Sequence, residues 1–163
     1  MRKDILFKED NFVFSYRVGG LLIRDGKILL QKLINDDYSI IGGHVESMET
    51  TSDALVREFH EEIKADIIVD DLLAVGEIFI PWGNRLCHQI CLYYRIHLKD
   101  EQSIPLDGSF WGYDELDNAR TDLEFCWVPL QELENGLKVY PLELIPHILK
   151  QSKEIFHFIY KEV

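Results

Sequence analysis

The sequence predicts a single α/β domain over residues 1–163, and three features predict it. Asp25-Gly26 joins two apolar, β-rich runs, and Asp-Gly is the preferred centre of a tight hairpin turn. At Thr50 the hydrophobic period changes from that of a strand to that of a helix. Long β-rich runs then resume and give way near Pro129 to a short helical segment.

Taken in order, "FVFSYRVGGLLIRDGKILLQKL" reads as a hairpin over residues 13–33. The polar turn "NDDY" leads to the short apolar piece "YSII", and Gly42-Gly43 follows at once. Paired glycines there either turn the chain or let backbone approach closely. From Thr50, the residues Leu55, Val56, Phe59 and Ile63 share one side of a helix, with Thr51 or Ser52 as N-cap. "ADIIVDDLLAVGEIFI" and "NRLCHQICLYYRIHL" read as strands joined by a "PWGN" turn at residues 81–84. Lys99 to Leu123 reads as a long, partly helical loop before a short strand, "EFCWV". "LQELEN" after Pro129 is a short helix, and "PLELIPHILKQSKEIFHFI" a last one.

With 163 residues and 47% hydrophobic content, the chain holds enough apolar material for one substantial core. Its formal charge of −12 repels nucleic acid and anionic membrane alike. No apolar run approaches the roughly 20 residues of a membrane span, and a soluble cytoplasmic protein is the expectation. Cys87, Cys91 and Cys126 are an odd set without disulfide spacing, which predicts reduced thiols. Cys87 and Cys91 on one strand stand roughly 13 Å apart, too far to share a zinc.

The segment "GGHVESMETTSDALVREFHEEI" carries six carboxylates in residues 42–63. Glu58, Glu61 and Glu62 cluster on a helix flank beside the apolar stripe, where like charges destabilise a helix. Arg57 stands four residues from both Asp53 and Glu61 and offsets part of that repulsion. A solvated acidic face explains the charge alone. An oxygen-ligand site for magnesium or manganese explains the charge and the adjoining Gly-Gly together.

Residues 43–65, "GHVESMETTSDALVREFHEEIKA", resemble the signature of the Nudix hydrolases. Gly43, Glu49, Arg57, Glu58, Phe59, Glu61 and Glu62 stand at its fixed positions. The order of elements from Arg17 to about Leu130 agrees with the α/β/α sandwich of that family and its mixed central sheet. One position departs: the family's glycine near the helix end is Lys64, followed by Ala65. Glycine there relieves a left-handed turn, so lysine costs about 1 kcal/mol, partly offset by its charge at a helix C-terminus.

The resemblance implies that Glu58, Glu61, Glu62 and the carbonyl of Gly42 hold Mg2+ or Mn2+, with Glu49 and Arg57 orienting loop and helix. It implies a small-molecule nucleotide substrate, a nucleoside diphosphate linked to another group, cleaved by water. Glu58 is the first choice as general base, with Glu124 and Glu46 behind it. Arg17, Lys32 and Arg85 are candidates to reach phosphate. His44, in the loop, and His60, beyond the apolar stripe and away from the carboxylates, are the nearest alternative nucleophiles.

Nudix enzymes acting on ADP-ribose resemble one another in a proline about sixteen residues past the signature, where this chain has Pro81. Trp82, Phe110, Trp111 and Tyr113 could stack on a base or ribose, although "PWGN" is equally ordinary turn chemistry. ADP-ribose or a related nucleotide sugar is therefore the expected substrate, with nucleoside triphosphates as the alternative. An idle nucleotide-binding domain is the competing class, against which all three glutamates are retained. A homodimer stays open.

Overall fold

Asp25 and Gly26 both adopt positive φ, 51° and 74°, as the hairpin turn requires. In this computed structural model, which describes residues 1–116, 119–150 and 152–162, β1 (Leu6–Lys8) runs antiparallel to β2 (Phe12–Arg24). The hairpin continues into β3 (Lys27–Lys32). The "YSII" piece serves two strands, β4 (Tyr38–Ser39) against β3 and β5 (Ile41–His44) against β2. Gly42 and Gly43 therefore lie inside a strand and do not make a turn. A Cβ on Gly42 would stand 1.9 Å from the Val18 carbonyl oxygen, so close backbone approach is what these glycines permit.

Helix α1 spans Thr51–Ile63. Its N-cap is Thr50, one residue earlier than the sequence suggests, with a side chain that accepts from the Asp53 N–H at 3.1 Å. Ala54, Leu55, Phe59 and Ile63 are buried against Val18, Leu22, Ile41 and Ile96. The helix ends at Lys64 in the left-handed conformation, φ 61°, where the family has glycine. The lysine ammonium donates to the Glu61 carbonyl at 2.6 Å and lies 4.6 Å from the centre of the Tyr113 ring. Both contacts offset the backbone cost.

Two long strands follow, β6 (Ile67–Trp82) and β7 (Arg85–Leu98), antiparallel to each other, with β7 parallel to β2 over Phe12–Leu22. Only Gly83 and Asn84 make the turn between them, Gly83 at φ 61°. Pro81 and Trp82 belong to the strand. Cys87, Cys91 and Cys126 are free.

The expected loop from Lys99 to Leu123 is largely sheet. β8 (Ser109–Leu116) pairs antiparallel with β9 (Ala119–Pro129), and "EFCWV" is the second half of β9, which pairs with β3. The β-favouring aromatics Phe110, Trp111 and Tyr113 lie in this strand, and pairing on both sides of β9 overrides the polar content. After α2 (Leu130–Glu134) and β10 (Val139–Tyr140), the expected last helix is a 3-10 turn, Leu142–Leu144, and α3 (Ile145–Leu149). The chain then forms β11 (Phe156–Lys161), parallel to β6. Phe158 and Tyr160 are buried between exposed neighbours, the period of two that a helix cannot use.

Strand β2 links two sheet regions, one running through β7 and β6 to β11, the other through β3 to β4 and β9. Helix α1 covers one face, and α2 and α3 pack with Leu21, Ile28, Leu30 and Phe158 on the other, an α/β/α sandwich. Among the described residues no helix is long and apolar enough to cross a membrane.

Candidate active site

The acidic flank of α1 is not a solvated face. Glu58 and Glu62 are 8% and 6% exposed, while Glu61 stays open to solvent. Strand β5 makes room for them: a Cβ on Gly43 would lie 2.2 Å from the Glu58 carboxyl carbon. Strand β8 closes the other side, where a Cβ on Gly112 would lie 2.2 Å from the Glu62 carbonyl oxygen.

Arg57 is the hub. Its guanidinium donates to Glu49 at 2.7 and 3.2 Å, to Glu58 at 2.9 Å and to the His44 carbonyl at 3.0 Å. Glu61 lies 3.4 Å and Glu46 3.7 Å from it. The helix-surface pairing with Glu61 forms as expected. The main partner, however, is Glu49 from the preceding loop and not Asp53. The Glu49 carboxylate, 1% exposed, also accepts from the Glu46 N–H at 2.7 Å. Burial works against the Glu49 charge, but Arg57 and that N–H hold its carboxyl below the usual range. Burial likewise works against the Arg57 charge, and Glu49 and Glu58 more than compensate.

Burial raises the carboxyls of Glu58 and Glu62 above the ordinary range. Arg57 restrains the rise at Glu58, whereas Glu58 itself and Asp114 add to it at Glu62. Asp114 acts on both glutamates from β8. It is the carboxylate that sequence reasoning missed, because the strand carrying it was read as loop. Arg17 opposes the rise at Glu62. The second oxygen of Glu62 is buried without a hydrogen-bond partner among the described residues.

Burial and then Arg17 push the His44 imidazole down to about 4, so it is neutral at physiological pH. His60 is exposed and pairs with Asp66 at 3.0 Å. Glu124 sits on β9 opposite Lys32 and Trp111, apart from the helix carboxylates. Lys32 pairs with Asp36, Arg85 faces Trp82 across the turn, and Phe110 packs on Phe125. Trp111 is exposed, and Tyr113 lies under Lys64 and Arg120.

Gly42, next to the Gly43 that packs on Glu58, lines a cavity of about 430 Å³ between the two sheet regions, and none of the three helix glutamates is among its lining residues. Arg17, Gly42, Gln31, Pro81, Tyr140 and Tyr160 are among its lining residues. Trp82 is not among the lining residues.

The NUDIX domain model matches residues 14–148. The chain belongs to the Nudix family. Among solved structures, an ADP-ribose pyrophosphatase from Streptococcus suis 89-1591 is 13% identical with a TM-score of 0.55, over 88% of this chain and 98% of that one. A MutT protein from Bacillus halodurans is 15% identical with a TM-score of 0.61, over 91% of each chain. A NUDIX hydrolase from Nitrosomonas europaea is 17% identical with a TM-score of 0.57, over 89% and 78%. At these identities the likeness is one of fold. A search of curated proteins found no match. The family match extends past the stretch the signature resemblance covers and stops short of β11.

Among the described residues no three carboxylate, imidazole or thiolate groups converge as a finished metal site. The Arg57 guanidinium lies between Glu58 and Glu61 and serves as their cation. The donor set nevertheless fits a hard divalent ion: buried carboxylates held above their ordinary range, and a buried Glu62 oxygen with no partner.

Proposed function

We propose that this Nudix pyrophosphatase hydrolyses a nucleoside diphosphate linked to another group, ADP-ribose or a related nucleotide sugar first, with Mg2+ or Mn2+. The observation that carries the reading is the position of Pro81. Sixteen residues past Ala65 it could have been a turn residue, but the turn is Gly83-Asn84, and Pro81 lines the same cavity as Arg17 and Gly42. That cavity is lined by a cation at Arg17 and by amides and phenols such as Gln31, Gln89, Tyr140 and Tyr160, the profile of a nucleotide site.

Glu58, Glu61, Glu62 and the Gly42 carbonyl would hold the ion. Bound there, it supplies the positive charge that draws a diphosphate into an acidic site and acidifies water within its reach. Arg57 and Glu49 fix the helix against the β5 loop so that the carboxylates keep their aim. Arg17, on the cavity wall, binds a phosphate oxygen. Glu58 accepts the proton of the attacking water, and Asp114 is the second carboxylate facing the cluster. The nucleophile is water, since His60 is exposed and paired with Asp66 outside the cluster, His44 is not among the residues lining the cavity, and no serine or cysteine among the described residues joins the cluster.

The reading is tested by comparing kcat/KM on ADP-ribose, NADH, sugar nucleotides and nucleoside triphosphates with Mg2+ and Mn2+. A nucleotide sugar should lead. Triphosphates preferred tenfold or more, about 1.4 kcal/mol of transition-state stabilisation, would overturn it.

Metal binding should also release protons. Burial raises both glutamates, so near neutrality the pair retains a proton that a cation must displace. Affinity should rise with pH by about tenfold per unit for each proton released. Titrating Mg2+ calorimetrically in buffers of different ionisation enthalpy reads the release directly. An affinity flat across neutrality, with no buffer dependence, would contradict it.

A further inference from the structure

Strand β11 lies beyond the residues matched to the family, 14–148, yet it builds one end of the cavity. It pairs with β6 from Phe156↔Ala74 to Lys161↔Phe79, and the Glu162 N–H then donates to the Phe79 carbonyl at 2.8 Å. Tyr160 is buried and meets the edge of Tyr140 with ring centres 6.5 Å apart. Its hydroxyl donates to one oxygen of the Glu162 carboxylate. Backbone and phenol together thus fix where that carboxylate stands, and both Tyr160 and Glu162 line the cavity.

The order β2, β7, β6, β11 puts three strand spacings between Arg17 and this end, roughly 14 Å at about 4.8 Å each. The cavity therefore runs from a guanidinium to a carboxylate. A second phosphate would be repelled at the Glu162 end, which instead calls for a hydrogen-bond donor. An ionised carboxylate only accepts; Tyr160 takes one oxygen of Glu162, a residue that lines the cavity, and the other oxygen remains to accept from a ligand. The flat Tyr140 ring alongside suits an aromatic ligand.

We infer that Glu162, held by Tyr160, is a specificity-determining residue that accepts a hydrogen bond from the exocyclic amino group of the substrate's base. The strand that the family match omits then selects amino-bearing over oxo-bearing bases. This rests on the reading above, in which the phosphates lie at the helix carboxylates and the nucleoside extends away from them. A carboxylate acceptor left facing a carbonyl oxygen disfavours the wrong base.

The test compares the adenine and hypoxanthine forms of one substrate, ADP-ribose and IDP-ribose, which differ at the 6-position by amino against oxo. Wild type should prefer the adenine form by tenfold or more in kcat/KM. In Glu162→Gln the amide oxygen still accepts from Tyr160, and the amide NH2 replaces the free oxygen, so the ratio should collapse or invert. An unchanged ratio in the folded variant overturns the assignment. Equal loss on both substrates does so too, because it gives the carboxylate to the ribose or to packing. Should the enzyme cleave neither compound, the proposed substrate class fails, and the affinities of AMP and IMP for wild type and variant still decide the base contact on their own.

Discussion

Glu62→Gln should lower turnover by roughly 10²–10³ or more while raising the melting temperature of the metal-free protein. Both effects come from one feature. Glu62 is a buried carboxylate on α1 with an unpartnered oxygen, close to Glu58 and Asp114. Its folded-state carboxyl titrates above the unfolded value, so the native state binds the proton more tightly. Stability therefore falls as pH rises from the ordinary carboxylate range through the raised value, and the full cost is present above it. The amide has nearly the same shape and no charge, so it removes that cost. Each kcal/mol relieved raises Tm by about 2–4 °C in a chain of this size. What the amide cannot do is supply a negative oxygen to a hard cation, so the variant should also lose the Tm increase that Mg2+ gives the wild type. Thermal melts at alkaline pH with and without Mg2+, beside turnover on the best substrate, check both halves. A folded variant with full activity, or one less stable than wild type without metal, would refute the assignment.

The elements that announced themselves in the sequence are those set by neighbouring residues. Asp25-Gly26 needs only its own φ values, and α1 needs only its apolar stripe and a threonine cap. The signature residues were legible through their fixed spacing, but the spacing along the helix pointed Arg57 to Asp53 and Glu61, and its main partner, Glu49, comes from the preceding loop. What escaped were features settled by distant partners. β11 pairs with β6 about eighty residues away, and its alternation was hidden behind helix-like residues in "PHILKQSKEI". β8 escaped because glycine and acidic residues dilute its β-favouring aromatics, and Asp114 went with it. The burial of Glu58 and Glu62 was likewise invisible. A helical wheel shows which residues share a flank, not that Gly43 and Gly112 bring two strands down onto it. Glu124 illustrates the converse: it follows the strand period, points away from Phe125, and stands opposite Lys32 rather than with the helix carboxylates.

Arg57→Ala should be the most damaging single change to the fold of the metal-free protein, costing about 3–5 kcal/mol, or a fall in Tm of roughly 6–20 °C. The guanidinium is what makes four carboxylates tolerable in one place. Without it Glu49, 1% exposed, keeps only the Glu46 N–H and Arg2 at 3.5 Å, and Glu58 loses its closest cation. Removing one partner of a buried pair leaves an uncompensated charge, which costs more than the pair was worth. Glu49→Gln should therefore recover part of the loss, the double variant being more stable than the sum of the single changes predicts. Arg57→Lys should fall between, since an ammonium keeps the charge but cannot reach Glu49, Glu58 and the His44 carbonyl at once. The pH dependence follows from Glu49, whose folded carboxyl is depressed. Its pairing stabilises above the unfolded value and is lost as pH falls through the folded one, so the damage should be full near neutrality and fade in acid. Chemical denaturation across that range gives the cost directly. Mg2+ supplies an independent reading: if a divalent ion binds these carboxylates, it should restore more stability to Arg57→Ala than it adds to wild type, because it brings positive charge to glutamates that have lost their own. A variant that unfolds at the wild-type denaturant concentration would show that the guanidinium is ornamental to the fold, and equal stabilisation of both proteins by Mg2+ would place the ion elsewhere.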